Sequence, residues 1–301
     1  MLSVVINTKN AEKTLKQCLK SVKFADEIVV LDMQSDDQTV EIAKAAGARV
    51  FSTTDRGYVE PARNEVILKA KGQWIFVIDA DEEISAELQS AIQKIVSQSQ
   101  TEESSVAYRI SRKNMIWGKW MKHTGWWPDY QLRLFMRGKV HWKNEIHSIP
   151  EVKGKVVDLP ADESLALIHH NYTSIGEFIQ RLDRYSTIQS TEVKTKRPLS
   201  TTEVIEIFFD EWLRRLFEWN GIKDGVRGQA LSFLQSTSEL VKVLKIWEKN
   251  GFRDKAQSDE EVIHSLEAVN NSLKYWLADW HVKNSSGLTQ IFWKVRRKMM
   301  I

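Results

Sequence analysis

Apolar runs of strand length alternate with helical apolar stripes through the first hundred residues. Leu2 to Ile6 reads as a strand, and Glu27 to Leu31 as a second that ends in Asp32. Between them Ala11, Leu15, Cys18, Leu19 and Val22 recur at helical spacing, with Asn10 as the expected N-cap. Asp36-Asp37-Gln38-Thr39 is a polar turn, Val40 to Ala46 a helix, and Gly47 its stop. Arg49 to Phe51 is a short third strand. Pro61 suits the first turn of a helix running from Ala62 to Lys71. Trp74 to Ile78 is the fourth strand, apolar at every position, as strands buried on both faces are. Ser85 caps a helix with Leu88, Ile92, Ile95 and Val96 on its inner face, and Gln98 to Ser105 is a polar loop. This rhythm predicts βαβ units and a parallel sheet.

Later the pattern changes. Tyr108 to Asn114 and Gln131 to Phe135 read as strands. From Ser174 the spacing is helical. Phe178, Leu182, Tyr185 and Ile188 form one stripe, Val204 to Trp219 and Ala230 to Trp247 form further helices, and a break falls at Pro198 with Ser200-Thr-Thr202. Asn250 to Gln257 is a linker, and Ser258-Asp-Glu-Glu261 a capping box opening another helix. The chain ends basic and apolar together, from Ile291 to Ile301. Two regions follow: 1–172, an α/β domain, and 173–301, a helical one.

The strand ends carry the candidate chemistry. In parallel sheets ligands bind beyond the carboxyl ends of the strands. Here those ends bring Asn7 and Thr8, Asp32, and the acids Asp79, Asp81, Glu82 and Glu83. In an extended chain Asp79 and Asp81 point to one side, where two carboxylates repel unless a cation sits between them. A hard divalent cation is one solution, and capping of the next helix is the plain alternative. Neither G-x-G-x-x-G nor G-x-x-x-x-G-K-[ST] occurs, so a nucleotide phosphate needs a metal rather than a glycine-rich cradle. Trp117 to Tyr130 is aromatic, glycine-punctuated and basic. Trp120, Trp126 and Trp127 suit a sugar face, or else pin a loop. Asp129 after Pro128 is a candidate general base or a turn former. Arg133 and Arg137 face a diphosphate or solvent, and His147 is the histidine to test against metal or phosphate.

Composition narrows the picture. The 301 residues are 42% hydrophobic and 28% charged, and the net charge of +3 gives no argument for nucleic acid. One cysteine, Cys18, excludes an intramolecular disulfide and a cysteine-based zinc site. No apolar run reaches the length of a membrane span, and Leu2–Ile6 reads as a core strand rather than a leader. The expectation is a cytoplasmic protein. Its aromatic and basic C-terminal helices rest on the inner face of the cytoplasmic membrane, or on the catalytic domain or a second copy of the chain.

Residues 2–10, 25–32, 62–64 and 78–82 together resemble the family 2 glycosyltransferases. Trp127-Pro-Asp-Tyr-Gln-Leu-Arg-Leu-Phe135, with Lys119-Trp120 before it and His169-His-Asn-Tyr172 and Arg184-Tyr-Ser186 after, is similar to their bacterial lipopolysaccharide-core β-1,4-glucosyltransferase-like branch. The resemblance implies a GT-A fold and inverting transfer of a hexose from a nucleotide-diphosphate sugar, UDP-linked by preference, to a glycan or glycolipid. It implies that Asn7 and Thr8 line the nucleoside pocket, that Asp32 contacts the base, and that Arg63, Asn64, Asp79 and Arg133 complete the donor site. Asp79 and Asp81, with His147, would hold Mn²⁺ or Mg²⁺; Asp129 would be the base, and Trp120, Trp126 and Trp127 would meet the acceptor. Met33-Gln34 replaces the Ser-Gly usual after the second strand. Nucleotidyl or phosphoryl transfer at the same D-x-D, and a non-catalytic membrane scaffold, are the alternatives.

Overall fold

The computed structural model of the protein describes residues 1–55, 57–98, 101, 104–143, 149–193 and 197–299. Two compact units emerge, Met1–Lys122 with Trp126–Thr173, and His123–Gly125 with Ser174–Ile301. The second unit therefore claims a three-residue piece that a division at 172/173 leaves with the first.

The first unit is built on a ten-stranded sheet. Its strands are β1 (Leu2–Thr8), β2 (Glu27–Asp32), β3 (Arg49–Ser52), β4 (Trp74–Asp79), β5 (Glu82–Glu83), β6 (Ala107–Ile116), β7 (Lys119–Trp120), β8 (Asp129–Met136), β11 (Val156–Asp158) and β12 (Leu167–Tyr172), while β9 (Val140–His141) and β10 (Glu151–Val152) pair separately. The order is β3-β2-β1-β4-β8-β6-β12-β5. β3, β2, β1 and β4 are mutually parallel, as the βαβ rhythm predicts. Beyond β4 the direction reverses, because β8 lies antiparallel to both β4 and β6. The connection from β6 to β8 is an aromatic loop with the short strand β7, not a crossover helix, and such a link joins antiparallel strands.

Alternation along β1 and β4 explains the two cores. Val4, Ile6, Phe76 and Ile78 face one side with Leu15, Cys18 and Leu19 of α1 (Leu15–Ser21) and Leu88 and Ile92 of α4 (Ala86–Ser97). Val5, Ile75 and Val77 face the other with Ala62, Val66 and Ile67 of α3 (Glu60–Lys69). α2 (Thr39–Ala45) follows its Asp37, whose carboxylate accepts from Thr39 N at 3.0 Å. Ser85 caps α4 by accepting from Leu88 N at 3.0 Å, a bond worth about 1 kcal/mol. Cys18 is buried, with Sγ 3.5 Å from the Asp79 carbonyl.

One local expectation fails. Asn10 is no helix cap, since α1 starts at Leu15 after Thr14. Asn10 has φ +49°, a left-handed turn that asparagine tolerates, and its Oδ1 accepts from Asp36 N at 3.1 Å. It ties the β1 turn to the β2 turn instead of opening a helix.

The second unit is helical: α5 (Ile175–Glu192), α6 (Thr201–Leu213) extended by a π-helical turn at Arg214–Glu218, α7 (Gly225–Lys249), α8 (Asp259–Asn284) and α9 (Gly287–Lys298). Ser258 forms the expected capping box with Glu261. Ser200, read as part of a break, forms another with Glu203 and starts α6 three residues before the expected Val204. Leu213, Leu216 and Phe217 make its core with Trp212, Leu273 and Trp276. His123 is held in this unit by Asp224, whose carboxylate accepts from His123 N and pairs with Nδ1, both at 2.9 Å. Gly228 approaches Gly221 so closely that a Cβ on it would lie 2.0 Å from the Gly221 carbonyl oxygen, so no larger residue fits there without backbone movement.

Candidate active site

Register brings the polar strand ends together. Thr8 pairs with Asp32 across β1 and β2, and Asn7 with Asp79 across β1 and β4. Asp32 is buried, and its carboxylate accepts from Thr8 Oγ1 at 3.0 Å and from Ser35 N at 2.9 Å. Asn7 donates Nδ2 to the Ala62 carbonyl at 3.2 Å, while its buried Oδ1 has no protein partner among the described residues. A buried amide oxygen left open at a sheet's ligand edge is an acceptor waiting for a donor. Asn64 is spent differently, because its amide bonds Trp142 N at 3.0 Å and Trp142 O at 2.7 Å. It anchors the chain after β9 and leaves little for a donor sugar.

Next to these ends lies a chain of alternating charge. Arg63 donates to Asp79 Oδ1 at 3.0 Å and Arg133 to Asp79 Oδ2 at 2.7 Å. Arg133 also donates to Glu82 at 2.6 Å, and Glu82 accepts from Asp79 N at 3.0 Å. Arg112 stands 3.7 Å from Glu82, donates Nε to Asp129 Oδ2 at 2.8 Å and sets Nη2 2.6 Å from the same oxygen as an ion pair. Asn114 Nδ2 reaches the same Oδ2 at 3.1 Å, and Gln131 donates to Oδ1 at 2.8 Å. Asn114 Oδ1 meets His169 Nδ1 at 2.6 Å, and His169 Nε2 faces Asp81 Oδ2 at 3.6 Å. Antiparallel pairing puts Arg112 opposite Asp129, and parallel pairing puts Asn114 beside His169.

The charges set the protonation states. Burial pushes Asp79 up, but the Arg133 and Arg63 charges outweigh it and hold the carboxyl well below the usual range. Burial likewise raises Asp129, and the Arg112 charge with bonds from Asn114 and Gln131 brings it below its ordinary value. Glu82 goes the other way. Fully enclosed, it is raised by burial, Arg133 opposes this, and the Asp79 charge adds to it.

Several expectations change here. The chain turns after Asp79, so Asp79 and Asp81 do not share one extended strand. Both Asp79 oxygens are taken by arginines, and no group of three or more His, Cys, Asp or Glu side chains suited to a metal occurs among the described residues. Arg133, expected on a diphosphate, is only 2% exposed and is turned onto carboxylates. Arg137 lies beside Gln73 at the opposite end of β4, away from any ligand at Asp79. His147 lies outside the described residues. Trp120 packs edge-on against Trp127 at 5.1 Å under the Lys122 ammonium, and Trp126 against Tyr172 at 6.3 Å. All three indoles are half-buried.

Sequence reasoning did not single out Arg112 or Asn114, named His169 only within the His169-His-Asn-Tyr172 motif without a role, and left Glu82 at the margin. Arg112 and Asn114 occupy alternate positions of a strand, where polar residues read as a solvated face.

A parallel half-sheet with ionic side chains gathered at its carboxyl edge is the architecture of an α/β enzyme that binds its ligand there. Residues 3–153 match the Glycosyl transferase family 2 model, and the chain belongs to that family. The protein is a glycosyltransferase. It is 32% identical over 244 residues to an uncharacterized glycosyltransferase of Rickettsia bellii, across 75% of this chain and 81% of the relative. It is 24% identical over 281 residues to LpsC of Rhizobium meliloti, a lipopolysaccharide core biosynthesis glycosyltransferase, across 87% of this chain and 98% of that one. Among solved structures, S. aureus TarS bound to UDP aligns at 14% identity over 83% of this chain and 91% of its own, with a TM-score of 0.42. Glucosyl-3-phosphoglycerate synthase of M. tuberculosis, with Mn²⁺, UDP and its product, aligns at 23% identity over 36% of this chain and 43% of its own, with a TM-score of 0.30. Family membership sets aside the nucleotidyl-transfer alternative.

Proposed function

We propose that this glycosyltransferase moves a hexose with inversion from a nucleotide-diphosphate sugar, UDP-linked by preference, to a hydroxyl of a glycan or glycolipid of the lipopolysaccharide-core kind. The observation that carries the reading is the asymmetry of Asp129. Its Oδ2 holds Arg112 and Asn114, whereas among the described residues Oδ1 takes only Gln131 and keeps a lone pair for an incoming hydroxyl. One positioned carboxylate is the single base that inverting displacement needs. Asn7, Thr8 and Asp32 then hold the nucleoside, with the Arg63–Asp79 pair beside the sugar. A glycolipid acceptor places the enzyme at the surface in which that lipid is embedded.

A divalent cation fits at Asp81 and His169. His169 Nδ1 lies 2.6 Å from Asn114 Oδ1, which turns Nε2 toward the Asp81 carboxylate 3.6 Å away, so an imidazole nitrogen and a carboxylate, both metal-ligating groups, stand side by side. Charge balance points the same way. Arg63, Arg112 and Arg133 are offset by Asp79, Glu82 and Asp129, which leaves no surplus cation in this network for a diphosphate. Held by Asp81 and His169, Mn²⁺ or Mg²⁺ would supply Lewis-acid stabilisation of the departing diphosphate. A panel of nucleotide-diphosphate sugars, read by release of the nucleoside diphosphate, tests the donor. EDTA is expected to abolish that release and Mn²⁺ or Mg²⁺ to restore it. Undiminished turnover of a metal-free preparation would refute the cation's part.

A further inference from the structure

Helix α9 carries its apolar residues on the wrong side for a core. At about 100° per residue, Leu288, Ile291, Phe292, Val295 and Met299 fall in one stripe roughly 100° wide. All five are exposed, Leu288 at 85% and Met299 at 81%. The opposite face is the one that packs. Gln290 donates to the Val282 carbonyl at 2.9 Å, Trp293 stacks on His281 at 4.1 Å, and Arg297 pairs with Asp279 of α8. The stripe therefore points away from α8, and burial within this helical pair does not explain it.

Its borders are all cationic. Lys294 and Lys298 flank the stripe on one side and Arg296 on the other, and α9 contains no acid. Arg296 extends over the Trp293 ring, 5.1 Å from its centroid. A second copy of the chain is a poor occupant, because two-fold pairing of this stripe would set like-charged borders against each other. Spanning is excluded for the described helices, none of which is long and apolar enough. An apolar stripe between basic borders on a non-spanning helix suits the plane of an anionic bilayer, with side chains in the acyl boundary and ammonium groups among phosphates.

We infer that α9 docks the enzyme on an anionic lipid surface, through Leu288, Ile291, Phe292, Val295 and Met299, with Lys294, Arg296 and Lys298 against the headgroups. The inference is independent of the transfer chemistry, since none of these residues belongs to the charged network of the active site.

Co-sedimentation of the full chain with vesicles decides it. The protein is expected to pellet with phosphatidylcholine vesicles containing phosphatidylglycerol, to stay in solution with phosphatidylcholine alone, and to be released by salt. The double substitution Ile291→Glu/Phe292→Glu is expected to weaken partition by more than roughly tenfold. Lys294→Gln and Lys298→Gln are each expected to weaken it roughly fivefold. Unfolding temperatures and donor hydrolysis in solution should hold steady, because these side chains are exposed. No binding at low salt, equal binding to both vesicle types, or full binding by the double variant would overturn the proposal. A dimer that the double variant breaks, in a protein that ignores vesicles, would assign the stripe to a second copy instead.

Discussion

Asp129→Asn is expected to lower the transfer rate by about 10²–10⁴-fold while nucleotide-sugar binding stays unchanged. The amide keeps the size of the side chain and its bond from Gln131, but it has no carboxylate to take the acceptor's proton. Isothermal titration with the donor separates binding from chemistry, and near-normal turnover would remove Asp129 from the mechanism. The pH dependence has a definite sign. Asp129 lies below its ordinary value, because the Arg112 charge and the bonds around the carboxylate outweigh burial. The base form is therefore present throughout the neutral range and is lost only as pH falls through that lowered value. Arg112→Gln removes the largest lowering influence and should move the acid limb of kcat/KM upward.

Arg133→Leu is expected to be the most damaging single change to stability. It strips Glu82, which is fully buried, and Asp79 of their shared guanidinium. Uncompensated buried charge costs roughly 3–5 kcal/mol. At about 2–4 °C per kcal/mol for a domain of this size, the unfolding midpoint should fall by roughly 6–20 °C. Differential scanning calorimetry reads this directly, and a midpoint within about 2 °C of wild type would show that the pair contributes little. The double variant Glu82→Leu/Arg133→Leu should recover part of the loss, because a buried ion pair exchanged whole for apolar groups costs far less than one broken in half.

The sequence makes the parallel half of the molecule readable because each strand there is an apolar run ending in a polar residue. Asn7, Thr8, Asp32 and Asp79 could be placed at one edge by chain direction alone. Asp129 was visible through its setting after Pro128. What holds Asp129 was not, because its partners come from another strand. Arg112 is 17 residues away and meets it only through the antiparallel register. His169 is 55 residues from Asn114, and nothing in either local pattern announces the contact. Glu82 looked like a helix-start acid beside Glu83. Its burial depends on Arg133, which arrives on a strand whose reversed direction follows from the aromatic loop rather than from periodicity. Ser200 was misread for a smaller reason, since serines and threonines after a proline suit a break and a cap equally well.

The lone cysteine has a practical consequence. Its sulfur lies under the last residue of β4, and burial, with the nearby charges of Glu82, Asp81, Asp79 and Glu83, pushes the thiol well up. An alkylating reagent needs exposed thiolate, so in the closed molecule it finds nothing to attack. Each labelling event then marks a moment when α1 has lifted from the floor of the active site. With one cysteine in 301 residues the signal has a single origin. Slower labelling in the presence of a sugar nucleotide would time how a ligand at the strand ends holds that floor shut, with no probe added to the chain.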